Sequence, residues 1–301
     1  MLSTRLRIWL VLEFSLDWWL CGWWWPQAGL LVCALLAFLL ILGVRGILTL
    51  SSFTLAWWAR TPRPTAAQIG VMAAGRLVWR EYLAALRVYL WLQPLYPWRG
   101  RCPVPTGPAL EEVPVLLIHG FLCNSGYWWP AVQQLRQAGR RQVYTLDLEP
   151  PLQGIETYVP LVAAKVREIC AASGAAQVVL VGHSMGGLVA RLVLAEPAMA
   201  ARVGKVITLG TPHQGTVHAY FSVSASAAQM RPGSVWLQAL PCRLPVSTVP
   251  LVSVFSWHDN IVAPQQSASL PGSKTIGLSG VGHLELGLSP ACVRVWQAEL
   301  P

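Results

Sequence analysis

Gly182-His183-Ser184-Met185-Gly186 constrains this chain more than any other stretch. It follows the apolar run Val178–Val181, which reads as a buried strand, and it precedes a helical pattern from Gly187 to Leu194. A serine at a strand-to-helix turn needs a strained backbone, and bulky residues beside it would strike the strand and helix that flank it. The glycines at 182 and 186 meet that steric demand. Ser184 is therefore a candidate nucleophile, presented at the carboxyl edge of a sheet.

The surrounding pattern supports a sheet of that kind. Short apolar runs at Val113–Ile118, Val143–Leu146, Val178–Val181, Val206–Leu209, Leu251–Phe255 and Thr275–Ile276 read as strands. Helical patterns at Trp128–Gln137, Tyr158–Ala172 and Gly187–Leu194 fall between them. Such alternation predicts an α/β domain over 109–301, with a mostly parallel central sheet flanked by helices. A cap insertion is expected at about 216–250.

The first hundred residues are different. Ile8 to Trp58 is almost uninterrupted apolar sequence and holds eight of the sixteen tryptophans. A bilayer span needs about 20 apolar residues. Ile8–Trp25 is one candidate, weakened by Glu13 and Asp17, and Ala28 to Leu50 is a second, interrupted by Arg45. Trp23, Trp24, Trp25 and Pro26 between them suit an interfacial belt and turn. The expectation is a membrane anchor over 1–60, a transmembrane helical hairpin; the alternative is one span with the first segment lying in the interface. Arg45, Arg60 and Arg63 near the second segment favour a catalytic domain on the cytoplasmic side of a bacterial inner membrane. Residues 61–108 read as an amphipathic helix, Ala66–Leu92, followed by a Pro-rich linker. The helix either packs on the catalytic domain or lies on the membrane surface.

The formal net charge of +9 is carried by scattered arginines, many flanking the apolar segment. No dense basic run or nucleic-acid-binding module accompanies it, so membrane lipid is the expected partner and nucleic acid is not. Seven cysteines form no CxxC pair and no Cys/His metal spacing, so no metal or cofactor is expected. Nothing bears on oligomeric state.

A nucleophilic serine needs a base, an acid and donors for the oxyanion. In the order Ser, acid, His, the base follows residue 184. Of the four histidines that do, His283 sits in a glycine-flanked loop, Ser279-Gly280-Val281-Gly282-His283, after the last strand. The whole chain has three aspartates, Asp17, Asp147 and Asp259, and only Asp259 follows a strand downstream of Ser184. It is the expected orienter of the imidazole. The amides of Phe121, in Leu117-Ile118-His119-Gly120-Phe121, and of Met185 are the expected oxyanion donors. His119, Gly120, His183, His213 and Trp236 are candidates for lining the site.

The set LLIHGF, VGHSMGG, TLGTPHQGT, WHDNIVAP and GVGHLEL resembles the α/β-hydrolase family, in particular its bacterial lipases and esterases. The resemblance covers about Val113 to Gln297. It implies Ser184 as nucleophile, Asp259 as acid and His283 as base, with Phe121 and Met185 at the oxyanion hole. It implies cleavage of carboxylic esters, with lipid acyl esters as the expected substrate. Acyl transfer and thioester cleavage stay open on the same fold, as does a non-catalytic binding protein, which would be expected to have a damaged triad. The calcium site that many such lipases build from aspartates is not expected here. Trp236 and its apolar neighbours in the cap either contact an acyl chain or merely pack.

Overall fold

The computed structural model describes residues 2–95, 112–243 and 249–301. Most of the Pro-rich linker and part of the cap insertion lie outside the described residues. Six strands form one sheet in the order β2-β1-β3-β4-β5-β6: β1 is Val115–Ile118, β2 Val143–Leu146, β3 Val178–His183, β4 Val203–Leu209, β5 Leu251–Ser256 and β6 Lys274–Leu278. Every neighbouring pair is parallel. The chain leaves β1 for one side, then crosses back past it to β3. That reversal opens a crevice at the carboxyl ends of β1 and β3, where ligands bind in open α/β sheets.

Both faces of the sheet are buried, as parallel strands require. Leu116, Ile118, Val178 and Leu180 point into one apolar layer with helix Val159–Ser173 and helix Met185–Val193. Val115, Leu117, Val179 and Val181 point into the other, against helix Trp129–Gln137 and helix Pro290–Gln297. The period-2 alternation of a strand thus serves two layers with one apolar run.

Among the described residues, the long helices before the sheet are α1 (Leu2–Trp24), α2 (Leu30–Trp58) and α3 (Val71–Leu86), the last continuing through a π turn at Arg87–Leu92. Helices α1 and α2 pack together, and Arg45 of α2 pairs with Glu13 of α1. Among the described residues α2 alone is long and apolar enough to cross a bilayer, at 29 residues and mean hydropathy 2.6. The expectation of a two-span hairpin thus narrows to one candidate span, because Glu13 and Asp17 interrupt α1.

Helix α3 packs on the domain through Ala84, Val88 and Leu92. Met72 and Leu83 face outward, and the buried face includes Glu81, which is 1% exposed. A carboxylate can take that place because backbone amides of the domain bond to it.

Candidate active site

Strand β3 ends at His183, and Ser184 adopts φ +54°, ψ −126° before the helix begins at Met185. A non-glycine residue at positive φ is strained and persists only where its surroundings enforce it. Here they do. A Cβ at Gly182 would lie 2.5 Å from the amide nitrogen of Gly187, and one at Gly186 would lie 2.5 Å from the carbonyl oxygen of His119. We expect Gly186→Ala to lower unfolding free energy by about 1–3 kcal/mol, the usual cost of overpacking. Thermal unfolding against wild type measures it, and an unchanged midpoint would contradict this tight fit.

The loop after β1 approaches the same turn. A Cβ on Gly120 would stand 2.8 Å from that of Ser184. Glycine lets this loop close on the serine. Met185 opens its helix, so its N–H is among those free of intrahelical bonding. His119 buttresses the loop from beneath: Nδ1 donates to the carbonyl of Gly120 (2.9 Å), and Nε2 accepts from the amide of Leu148 (2.9 Å).

Asp259 and His283 are brought together from loops after β5 and β6. Asp259 Oδ2 accepts from His283 Nδ1 at 2.8 Å, and its Oδ1 accepts from the amides of Ile261 and Val262, both at 2.8 Å. Bonding at Nδ1 leaves Nε2 as the basic nitrogen. Gly210, at φ +53°, passes so close that its Cβ would lie 3.0 Å from Asp259 Oδ2 and 3.2 Å from His283 Nδ1. Ser184 and His283 line one cavity of about 390 Å³, together with Gly120, Phe121, His183 and Leu284.

Electrostatics single out the same imidazole. Burial pushes down the pKa of His119, His183, His213, His218 and His258. Burial also opposes charge on His283, but the charge of Asp259 and its hydrogen bond outweigh this, so its pKa is raised. Cys123 lines the cavity as well, yet burial pushes its thiol up to about 12, which keeps it a neutral and poor nucleophile.

The remaining candidates have other places. His183 lines the cavity, and its ring also donates from Nε2 to the carbonyl of His283 (3.1 Å) while stacking on Tyr127. His213 is buried away from the cavity, accepting from Arg191 at Nδ1 and bonded to Thr208 at Nε2, both at 3.1 Å. His119 is a brace rather than a lining residue. Trp236 does not line the cavity either: it packs beside the apolar layer below the cap and donates its indole N–H to Glu156. The cap segment contributes His218 among the described residues, and α2 and α3 with its π turn supply further walls through Arg45, Leu48, Thr49, Ser52, Glu81, Ala85 and Tyr89.

Sequence reasoning missed two further polar groups. Asn260 Oδ1 accepts from the amide of His283 (3.0 Å), and its Nδ2 donates to Ser52 of α2 (2.8 Å). Tyr127 donates to the carbonyl of Leu284 and accepts from the amide of Gly287. Adjacency to Asp259 was the only available signal for Asn260; Tyr127 had none. Among the described residues no group of three or more His, Cys, Asp or Glu could hold a metal ion.

Residues 113–235 match the family model of the alpha/beta hydrolase fold. Triacylglycerol lipases from Pseudarthrobacter phenanthrenivorans and Burkholderia plantarii are each 34% identical over 120 residues, 38% of this chain. The match spans 37% and 33% of those relatives, so the chain aligns with about a third of their length. Among solved structures, a Bacillus licheniformis lipase in mature form superposes with TM-score 0.57 at 20% identity, covering 66% of this chain and 96% of that one. Aspergillus fumigatus lipase B superposes with TM-score 0.56 at 19% identity, over 78% and 61%. The chain has the α/β-hydrolase fold.

Proposed function

We propose that this chain is a membrane-associated serine hydrolase that cleaves carboxylic esters, with lipid acyl esters as its substrate class. One observation carries the reading. Ser184 stands at a strained turn on a cavity that it shares with His283, the one histidine whose pKa is raised, and Asp259 holds that ring at Nδ1. The lipase relatives support the same chemistry, and the apolar helix α2 beside the cavity supports a substrate that partitions into a bilayer.

In this reading His283 Nε2 takes the proton of Ser184 as Oγ attacks the ester carbonyl. The amides of Phe121 and Met185 stabilise the oxyanion of the tetrahedral intermediate. Loss of one such donor typically costs about 3–4 kcal/mol. Collapse breaks the ester C–O bond, and His283 returns the proton to the departing alcohol. Water then attacks the acyl-enzyme with His283 again as base, releasing the acid and restoring Ser184. Leu48, Ala85, Tyr89, Phe121, Leu122 and Ile261 give the cavity an apolar lining suited to an acyl chain.

A fluorophosphonate ester tests the assignment. It should form a single adduct on Ser184, mapped by mass spectrometry, and block hydrolysis of p-nitrophenyl esters in proportion to labelling. Across those esters, turnover should rise with acyl length until the cavity is filled. An adduct at another residue, or full labelling that leaves hydrolysis intact, would remove the reading.

A further inference from the structure

Helix α3 lies outside residues 113–235, yet it holds the loop that carries His283. Glu81 points inward from α3, and its Oε1 accepts from the amide of Leu284 at 2.8 Å while Oε2 accepts from that of Glu285 at 3.3 Å. These are the two amides that directly follow the base. Gly282, on the other side of His283, lies so close that a Cβ there would stand 2.5 Å from Glu81 Cδ. The neighbouring Arg80 donates to the carbonyl of Gly280 and pairs with Glu285 at 3.3 Å. One turn of α3 therefore seats residues 280–285 from one side, while Tyr127 holds the carbonyl of Leu284.

We propose that Glu81 is a positioning residue for catalysis: the segment before the hydrolase domain supplies the carboxylate that fixes the His283 loop and completes the active site. The proposal rests on the serine-hydrolase reading above. A buried carboxylate is costly unless hydrogen-bonded, so its retention on this face of α3 needs the two amides, and they need it. Burial raises its pKa to about 7, with the Leu284 amide and His283 opposing and Asp259 and Glu285 adding to the rise. Its negative charge in turn raises the pKa of His283. The charged groups that bear on it are His283, Asp259 and Glu285, with Arg80 paired to Glu285, and the neutral Tyr89, Tyr127 and Cys292 also face it.

Glu81→Ala and Glu81→Gln in the full chain test this. Glu81→Ala frees the loop, and a displacement of about 1 Å in a catalytic group can cost about 100-fold. We expect kcat to fall by about that factor with KM within threefold, and the rate of fluorophosphonate labelling at Ser184 to fall in parallel. Glu81→Gln keeps an acceptor for Leu284 and should recover most of kcat. Both variants remove a carboxylate that, where ionised, favours imidazolium, so the acid limb of kcat/KM should move to lower pH in each. A general packing role would lower stability without that movement. Wild-type kcat in folded Glu81→Ala, or an unmoved acid limb in Glu81→Gln, would overturn the proposal; if the alanine variant does not fold, the glutamine variant decides. Absence of an adduct at Ser184 in wild type would instead defeat the underlying hydrolase reading.

Discussion

Ser184→Ala should lose about 10⁶-fold in kcat for p-nitrophenyl esters, the scale on which removal of a triad nucleophile acts in a serine hydrolase. That corresponds to about 8 kcal/mol of transition-state stabilisation. The size follows from what remains. Without Oγ no acyl-enzyme can form, and only the amides of Phe121 and Met185 and the cavity walls are left to favour attack by water. The fold should survive, because alanine at φ +54° carries no more steric strain than serine and Gly182, Gly186 and Gly120 still shape the turn. Initial rates measured beside a thermal melt separate the two. A variant that keeps a tenth of wild-type turnover would place the nucleophile elsewhere.

Asp259→Asn should lower kcat by about 10⁴-fold, or about 5–6 kcal/mol, with little change in fold. The amide can still occupy the pocket, but it can present N–H where His283 Nδ1 needs an acceptor. The ring then carries its proton on the wrong nitrogen. The pH profile provides a second readout. In wild type the base must be neutral, and Asp259 raises the pKa of His283 above the ordinary 6.5, so activity should appear on an acid limb above that pH. In the variant, burial is left to dominate, and the residual activity should have its acid limb at lower pH. Stability runs the other way: a raised imidazole pKa stabilises the fold below about pH 6.5, and this contribution is lost as pH rises through the folded value. Activity is therefore expected where that stabilisation has gone. An acid limb that does not move would assign the orienting role to another group.

The candidate site was legible in the sequence because its signals are local. Gly182 and Gly186 report steric limits set within a few residues of Ser184, and the alternating apolar runs report strands buried on both faces. His283 and Asp259 were distinguished by chain order and by their placement after strands. The lining residues were not so legible. Trp236 looks like a cap residue above an acyl pocket, but its indole is bonded to Glu156 on the outer side. His213 looks like part of the site and is spent on Arg191 and Thr208. Both cases turn on where a side chain points, which one or two torsions decide.

Glu81 is the clearest instance of the limit. It is the only acid between Arg60 and Arg101, on a helix that reads from sequence only as amphipathic. It bonds to an amide 203 residues away, and Ser52 bonds to Asn260 across 208. The amino-acid order alone determined the elbow, the strand pattern, the candidacy of Ser184, Asp259 and His283 and the apolar character of α2. Only the folded chain decided that α2 and α3 wall the cavity and hold the loop of His283. Backbone strain and periodicity are properties of neighbours along the chain, whereas the pairing of a buried carboxylate with distant amides depends on how whole layers pack.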